Sequence, residues 1–138
     1  MRPLAAFCIL AHGALLAYSQ TYLGASGAET GVAVAPDPSG NILIVGSTDS
    51  GDFPVTANAY PRSFGSASIA GFIAGFDRSG SNLIYATYLT GRADTAITAM
   101  AVDSGGNTVV AGVPRSRGRF PATAGAYRIP TALDSSPS

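Results

Sequence analysis

One phrase is written twice in this chain, sixty-six residues apart, and that period constrains the fold more than any local motif. Thr21-Tyr22-Leu23 returns as Thr87-Tyr88-Leu89, and Asp37-Pro38-Ser39-Gly40-Asn41 returns as Asp103-Ser104-Gly105-Gly106-Asn107. Gly46 returns as Gly112. After a one-residue insertion, Phe53-Pro54-Val55-Thr56-Ala57-Asn58-Ala59-Tyr60 returns as Phe120-Pro121-Ala122-Thr123-Ala124-Gly125-Ala126-Tyr127. A unit repeated at fixed spacing is one supersecondary element that buries its apolar faces against its neighbours.

Within the period the pattern is that of strands. Val32–Ala35 and Ile42–Gly46 flank an Asp/Pro/Gly/Asn cluster, which predicts a β-hairpin whose Gly and Asn supply the turn. The second copy repeats this with Ala99–Val102, a turn over Asp103–Asn107, and Thr108–Gly112. Between the copies, Gly71–Phe76 and Leu83–Leu89 flank Asp77–Asn82 as another hairpin. One period therefore carries four strands. Pro54 and Pro61 argue against a regular strand between Ser47 and Ser68, which reads as a loop packing Phe53 and Tyr60 onto the sheet. Ile42-Leu43-Ile44-Val45 is apolar on both faces, so the sheet expects cover on each side. A four-stranded unit of this kind is a β-propeller blade; a two-sheet sandwich of about seven strands competes with it, and the four-strand period favours the blade.

The first nineteen residues stand apart. Arg2 precedes an apolar run from Leu4 to Ala17, and Ala17-Tyr18-Ser19 places small residues before Gln20. The pattern predicts a secretory signal peptide over residues 1–19, helical in form and removed on export. Cys8 and His12 lie inside it, so the processed chain would carry neither thiol nor imidazole, and the chain has no Lys or Trp. The formal net charge of zero gives no electrostatic case for nucleic acid or for an anionic membrane.

The repeated phrases resemble the bacterial secreted β-propeller repeat family, the SBBP repeats. The likeness is carried by Leu83-Ile84-Tyr85 with Thr87-Tyr88-Leu89, by Ala101-Val102-Asp103 with Gly106-Asn107, by Asp52-Phe53-Pro54-Val55-Thr56, and by Gly71–Asp77 followed by Gly80. It covers about residues 18–128. The resemblance implies an exported or cell-surface bacterial protein built of tandem blades, and it carries no family-wide catalytic residues. Thr90 stands where the first copy has Gly24, and Val113–Arg119 replaces a Ser/Thr-rich loop. The expected architecture is all-β. A signal helix is followed by a repeat region over 20–128, with one complete four-stranded blade at about 30–89 and a partial blade at about 96–128. A disordered tail over 129–138 ends it. A closed propeller needs at least four blades, so the chain is expected to be a fragment of, or a subunit in, a larger propeller.

Candidate chemistry is sparse. Asp37, Asp77 and Asp103 each open a turn; calcium would use such carboxylates, but each turn offers one acid, and an aspartate capping its own backbone explains them better. Arg115, Arg117 and Arg119 form a basic loop able to meet an acidic polysaccharide, although a solvated run is the plainer reading. Glu29, Asp49, Asp52 and Asp94 raise the possibility of a glycosidase pair, for which the sequence shows no convergence. Tyr22, Tyr60, Tyr88 and Tyr127 follow the period and read as core packing rather than as a sugar platform. No catalytic, cofactor or metal residue is assigned, and no cofactor is implied. The expected function is a non-catalytic exported scaffold, secreted or at the cell surface. Its partners would be further repeats in cis, copies of itself, or an extracellular glycan or protein, with no nucleic acid and no membrane after processing. The competing reading is a carbohydrate-active enzyme fragment using loop carboxylates such as Asp52 and Asp94.

Overall fold

The computed structural model describes residues 7–9, 19–59, 67–90, 94–115 and 124. They form eight strands in three antiparallel sheets: β1 (Phe7–Ile9) with β2 (Ser19–Thr21); β3 (Glu29–Pro36), β4 (Ile42–Thr48), β5 (Ala70–Phe76) and β6 (Leu83–Leu89) in that order; and β7 (Thr95–Val102) with β8 (Thr108–Pro114). No helix occurs among the described residues.

The helix expected over residues 1–19 is corrected in part. Phe7–Ile9 pairs antiparallel with Ser19–Thr21, Cys8 opposite Gln20. Phe and Ile favour extended backbone, and pairing satisfies the N–H and C=O groups that a helix would otherwise bond internally. The rest of that segment, with His12, lies outside the described residues, as do Tyr60, Pro61, Arg117, Arg119, Tyr127 and the 129–138 tail.

All three hairpins predicted from the apolar runs are present, and the strands run further than the apolar residues alone suggested. Ser47 and Thr48 extend β4 because Glu29 and Thr30 pair with them across β3. Each hairpin turn has its glycine at positive φ: Gly40 at 82°, Gly80 at 72° and Gly106 at 83°. Only glycine adopts that conformation at no steric cost.

The repeat is structural as well as sequential. The β3–β4 register shifts between Gly31 and Ala33, and the β7–β8 register shifts between Ile97 and Ala99, sixty-six positions on. The Asp49 N–H donates to the Ala28 carbonyl (3.2 Å), and the Arg115 N–H donates to the Asp94 carbonyl (2.7 Å). Gly46 sits where a Cβ would lie 2.1 Å from the Thr30 carbonyl oxygen; at Gly112 the same atom would lie 2.8 Å from that of Ala96. The bulge brings the two backbones together, and only hydrogen fits between them.

The four-stranded sheet is covered on both faces. On one, Ile44, Phe72, Ala74, Phe76, Ala86 and Tyr88 form the core with Phe53, joined by Leu23 and Val55. On the other, β7 lies across β3, β4 and β5. There the Ile97 side chain approaches Gly71, and Pro38 packs beside Gly106. Val45, facing that way, is fully buried. The β7–β8 hairpin thus meets the first sheet through β7.

Candidate functional site

The three turn aspartates adopt one arrangement. Asp37 Oδ1 accepts the N–H groups of Ser39 (2.8 Å) and Asn41 (2.9 Å), and Oδ2 accepts the Asn41 side-chain amide (2.8 Å). Asp103 repeats this with Gly105 (2.8 Å), Asn107 (2.8 Å) and the Asn107 amide (2.7 Å). At Asp77, in a turn one residue longer, the donors are the Ser79 hydroxyl (2.7 Å), the Ser81 N–H (3.0 Å) and the Asn82 amide (2.5 Å). These donors favour the ionised form. The asparagine side chain leads in holding Asp37 and Asp103 below the usual carboxylate range, and the Ser79 hydroxyl followed by Asn82 does so at Asp77. The carboxylates are engaged with their own turns, as the sequence suggested.

A second group of acids lies where the chain enters β3 and leaves β4. Glu29 Oε1 accepts the hydroxyls of Thr48 (2.9 Å) and Ser50 (2.5 Å), while Oε2 accepts the Ala25 N–H (3.3 Å). The Ser50 hydroxyl oxygen in turn accepts the Gly27 N–H (2.8 Å), and Asp49 accepts that of Ala28 (2.5 Å). Asp52 accepts both the hydroxyl (2.7 Å) and the N–H (3.2 Å) of Ser26. The Ser26 hydroxyl is the chief reason its carboxyl lies below the ordinary range. Asp94 performs the same task elsewhere, accepting the N–H groups of Ser68 (2.6 Å) and Ile69 (3.1 Å) at the entry to β5.

The structure therefore brings Glu29, Asp49 and Asp52 to one end of the β3–β4 hairpin, and it binds Asp94 to a different segment. Seven acids are described, and each accepts at least one backbone N–H of this chain. A carboxylate held by fixed amides is a brace that ties down loop backbone. Among the described residues, no group of three or more His, Cys, Asp or Glu is placed to hold a metal ion. Sequence reading missed Ser26, Thr48 and Ser50 in this role. Counting the hairpin register outward from the Asp37 turn would set Glu29 opposite Asp49; the bulge between Gly31 and Ala33 shifts the pairing by one and brings Glu29 opposite Thr48, so the sequence carried no signal for this contact.

The tyrosines divide. Tyr88 is buried; its phenol donates to the Ser50 carbonyl (3.0 Å) and accepts the Phe53 N–H (3.2 Å). The Phe53 ring packs in a tilted arrangement with its centroid 4.6 Å from that of Phe72 and 6.0 Å from that of Tyr88. Burial, ahead of the charges of Asp52 and Glu29, pushes the Tyr88 phenol up. Tyr22, its counterpart one period earlier, is 59% exposed, which corrects the expectation of core packing there. It precedes the four-stranded sheet, and among the described residues no equivalent of the Phe53 loop covers it. Arg115, the described member of the basic loop, is exposed.

Neither a curated protein nor a solved structure matches this chain. A family model does: the hairpin that opens the four-stranded sheet, with the segments before and after it, carries the match. Residues 21–54 match the SBBP family model, described as a beta-propeller repeat, so this segment is similar to repeats of that family.

Proposed function

We propose that this chain is a non-catalytic, exported repeat module, a fragment of or subunit in a larger propeller, that serves as a structural or binding scaffold at the cell surface. The observation that supports this reading is the engagement of the acids. All seven described carboxylates bind backbone amides, and those whose titration is displaced are held as anions. A glycosidase acid needs the opposite displacement, a carboxyl kept protonated near neutral pH. Asp52 and Asp94, the acids named by the competing enzyme reading, are tied to Ser26 and to Ser68–Ile69. Export is supported by the apolar leader ending before Gln20.

The test is turnover. The full chain, incubated with a panel of acidic and neutral glycans, is expected to release no reducing ends. Hydrolysis that disappears in Asp52→Asn or Asp94→Asn would overturn the reading. The scaffold role is tested by binding of the same panel without cleavage.

A further inference from the structure

The two copies of the repeat act as controls for each other. In the first copy the face of β3–β4 carrying Leu43, Val45 and Ser47 lies beneath β7: Val45 is fully buried and its two neighbours are half-buried. The same positions one period on are Val109, Ala111 and Val113, and all three are exposed, Val109 at 63% and Val113 at 55%. The opposite face behaves in reverse. Met100 and Val102 of β7, packed toward the first sheet, are half-buried, whereas their first-copy equivalents Val34 and Pro36 are exposed, Val34 at 53%. Each end of the stack therefore exposes the surface that meets its complement inside the chain.

From this we propose that the exposed face of β7–β8 takes the β3 face of a second copy of this chain, head to tail. The contact continues an interface the molecule already makes, with Val34 of one copy placed as Met100 is placed and Val109 of the other placed as Leu43 is. The chemistry fits such a partner. Val34 and Pro36 on one side meet Val109, Ala111 and Val113 on the other, with no charged side chain within β8 to oppose them. The two faces differ, so the contact is heterologous: repetition closes a ring if the rotation per copy allows and gives a filament if it does not. This inference rests on the scaffold reading and deepens it by naming the partner.

The experiment uses Val34→Glu and Val109→Glu, each made in the full chain at an exposed side chain, with far-UV circular dichroism to check that the sheets persist. Sedimentation velocity over roughly a hundredfold concentration range reads the assembly. Wild-type chain is expected to form species larger than a monomer. Each variant alone is expected to be monomeric, since one of its two faces is blocked. An equimolar mixture is expected to form a dimer and nothing larger, because the intact face of Val34→Glu meets the intact face of Val109→Glu. A monomeric wild type, a mixture that stays monomeric, or a variant that still dimerises alone through its remaining face would each overturn the proposal. If a variant loses its sheets, Val34→Lys and Val109→Lys replace it under the same readings. A monomeric chain without turnover would sink this inference while leaving the non-catalytic reading intact.

Discussion

Tyr88→Phe removes one oxygen from the centre of the fold, and its effect follows from two contacts. The phenol donates to the Ser50 carbonyl at 3.0 Å and accepts the Phe53 N–H at 3.2 Å, with the Tyr88 side chain 1% exposed. The variant keeps the ring and its contact with Phe53 but leaves both backbone groups without that partner. Leaving buried polar groups unpaired costs about 1–3 kcal/mol. The Phe53 N–H retains the Ser50 carbonyl at 3.4 Å, a long bond that offsets only part of the loss. The expected destabilisation is therefore about 1–2 kcal/mol, a large share of a total of roughly 5–15 kcal/mol. Urea denaturation followed by far-UV circular dichroism reads it as a fall in midpoint of about 1 M at unchanged slope. Tyr22→Phe, at an exposed site, is the control and is expected to move the midpoint negligibly. If the two variants gave the same midpoint, the phenol would not be pinning the Phe53 loop to the sheet, and the account of the core would fail. The same residue supplies an alkaline check. Its folded pKa lies above the ordinary value of 10.0, so its contribution is whole below pH 10 and is lost as pH rises through the folded value. Tyr88→Phe should flatten that decline.

Other substitutions probe the remaining supports. Gly46→Ala drives a Cβ to 2.1 Å from the Thr30 carbonyl oxygen and is expected to cost about 1–3 kcal/mol by urea denaturation, while Gly51→Ala, with nothing within 4 Å, should be neutral. Phe53→Ala opens a cavity among Phe72 and Tyr88 and is expected to cost about 3–5 kcal/mol on the same assay. Asp37 and Asp103 have folded pKa values below the unfolded 3.8, so their stabilisation is present above pH 3.8 and is lost as pH falls through the folded values. Melting temperatures recorded from pH 5 downward should drop in that acid window, and the drop should shrink in the double variant Asp37→Asn, Asp103→Asn.

What the sequence made legible was local. An Asp followed by Gly-Asn between apolar runs is enough to place a hairpin, because turn geometry fixes the register of both flanks. Phe53 beside Pro54 was legible as an anchor because a large apolar side chain in a strand-breaking context must pack somewhere. The bulges at Gly31/Ala33 and Ile97/Ala99 were not, since a one-residue slip in pairing leaves no mark in composition. The bracing role of Asp52 and Asp94 was missed for a different reason. Asp52 reaches Ser26 and Asp94 reaches Ser68 across long stretches of chain, and such bonds become visible only once the hairpin ends are brought together. Tyr22 shows the limit of reasoning by repetition: the same residue as Tyr88, one period earlier, is exposed because the surroundings differ and not the letter.

That difference between identical letters also bears on the choice between a sandwich and a stack. In a sandwich two sheets share one core and each turns a polar face to water. Here β4 and β5 are buried on both sides: Ile44, Phe72 and Ala74 face the Phe53 loop, while Val45 and Gly71 face β7. The four-stranded sheet is a middle layer. Its many glycines and alanines keep it thin, so that Ile97 reaches the backbone of Gly71, and a thin layer with no polar face requires a neighbour on each side. The second hairpin provides one neighbour. Phe53, Val55 and Leu23 provide part of the other, and Val34, beyond their reach, remains exposed. Stacked layers in which every sheet both covers and needs covering are the physical content of a propeller repeat, and Val34 and Val109 are the exposed positions that the proposed head-to-tail contact would cover.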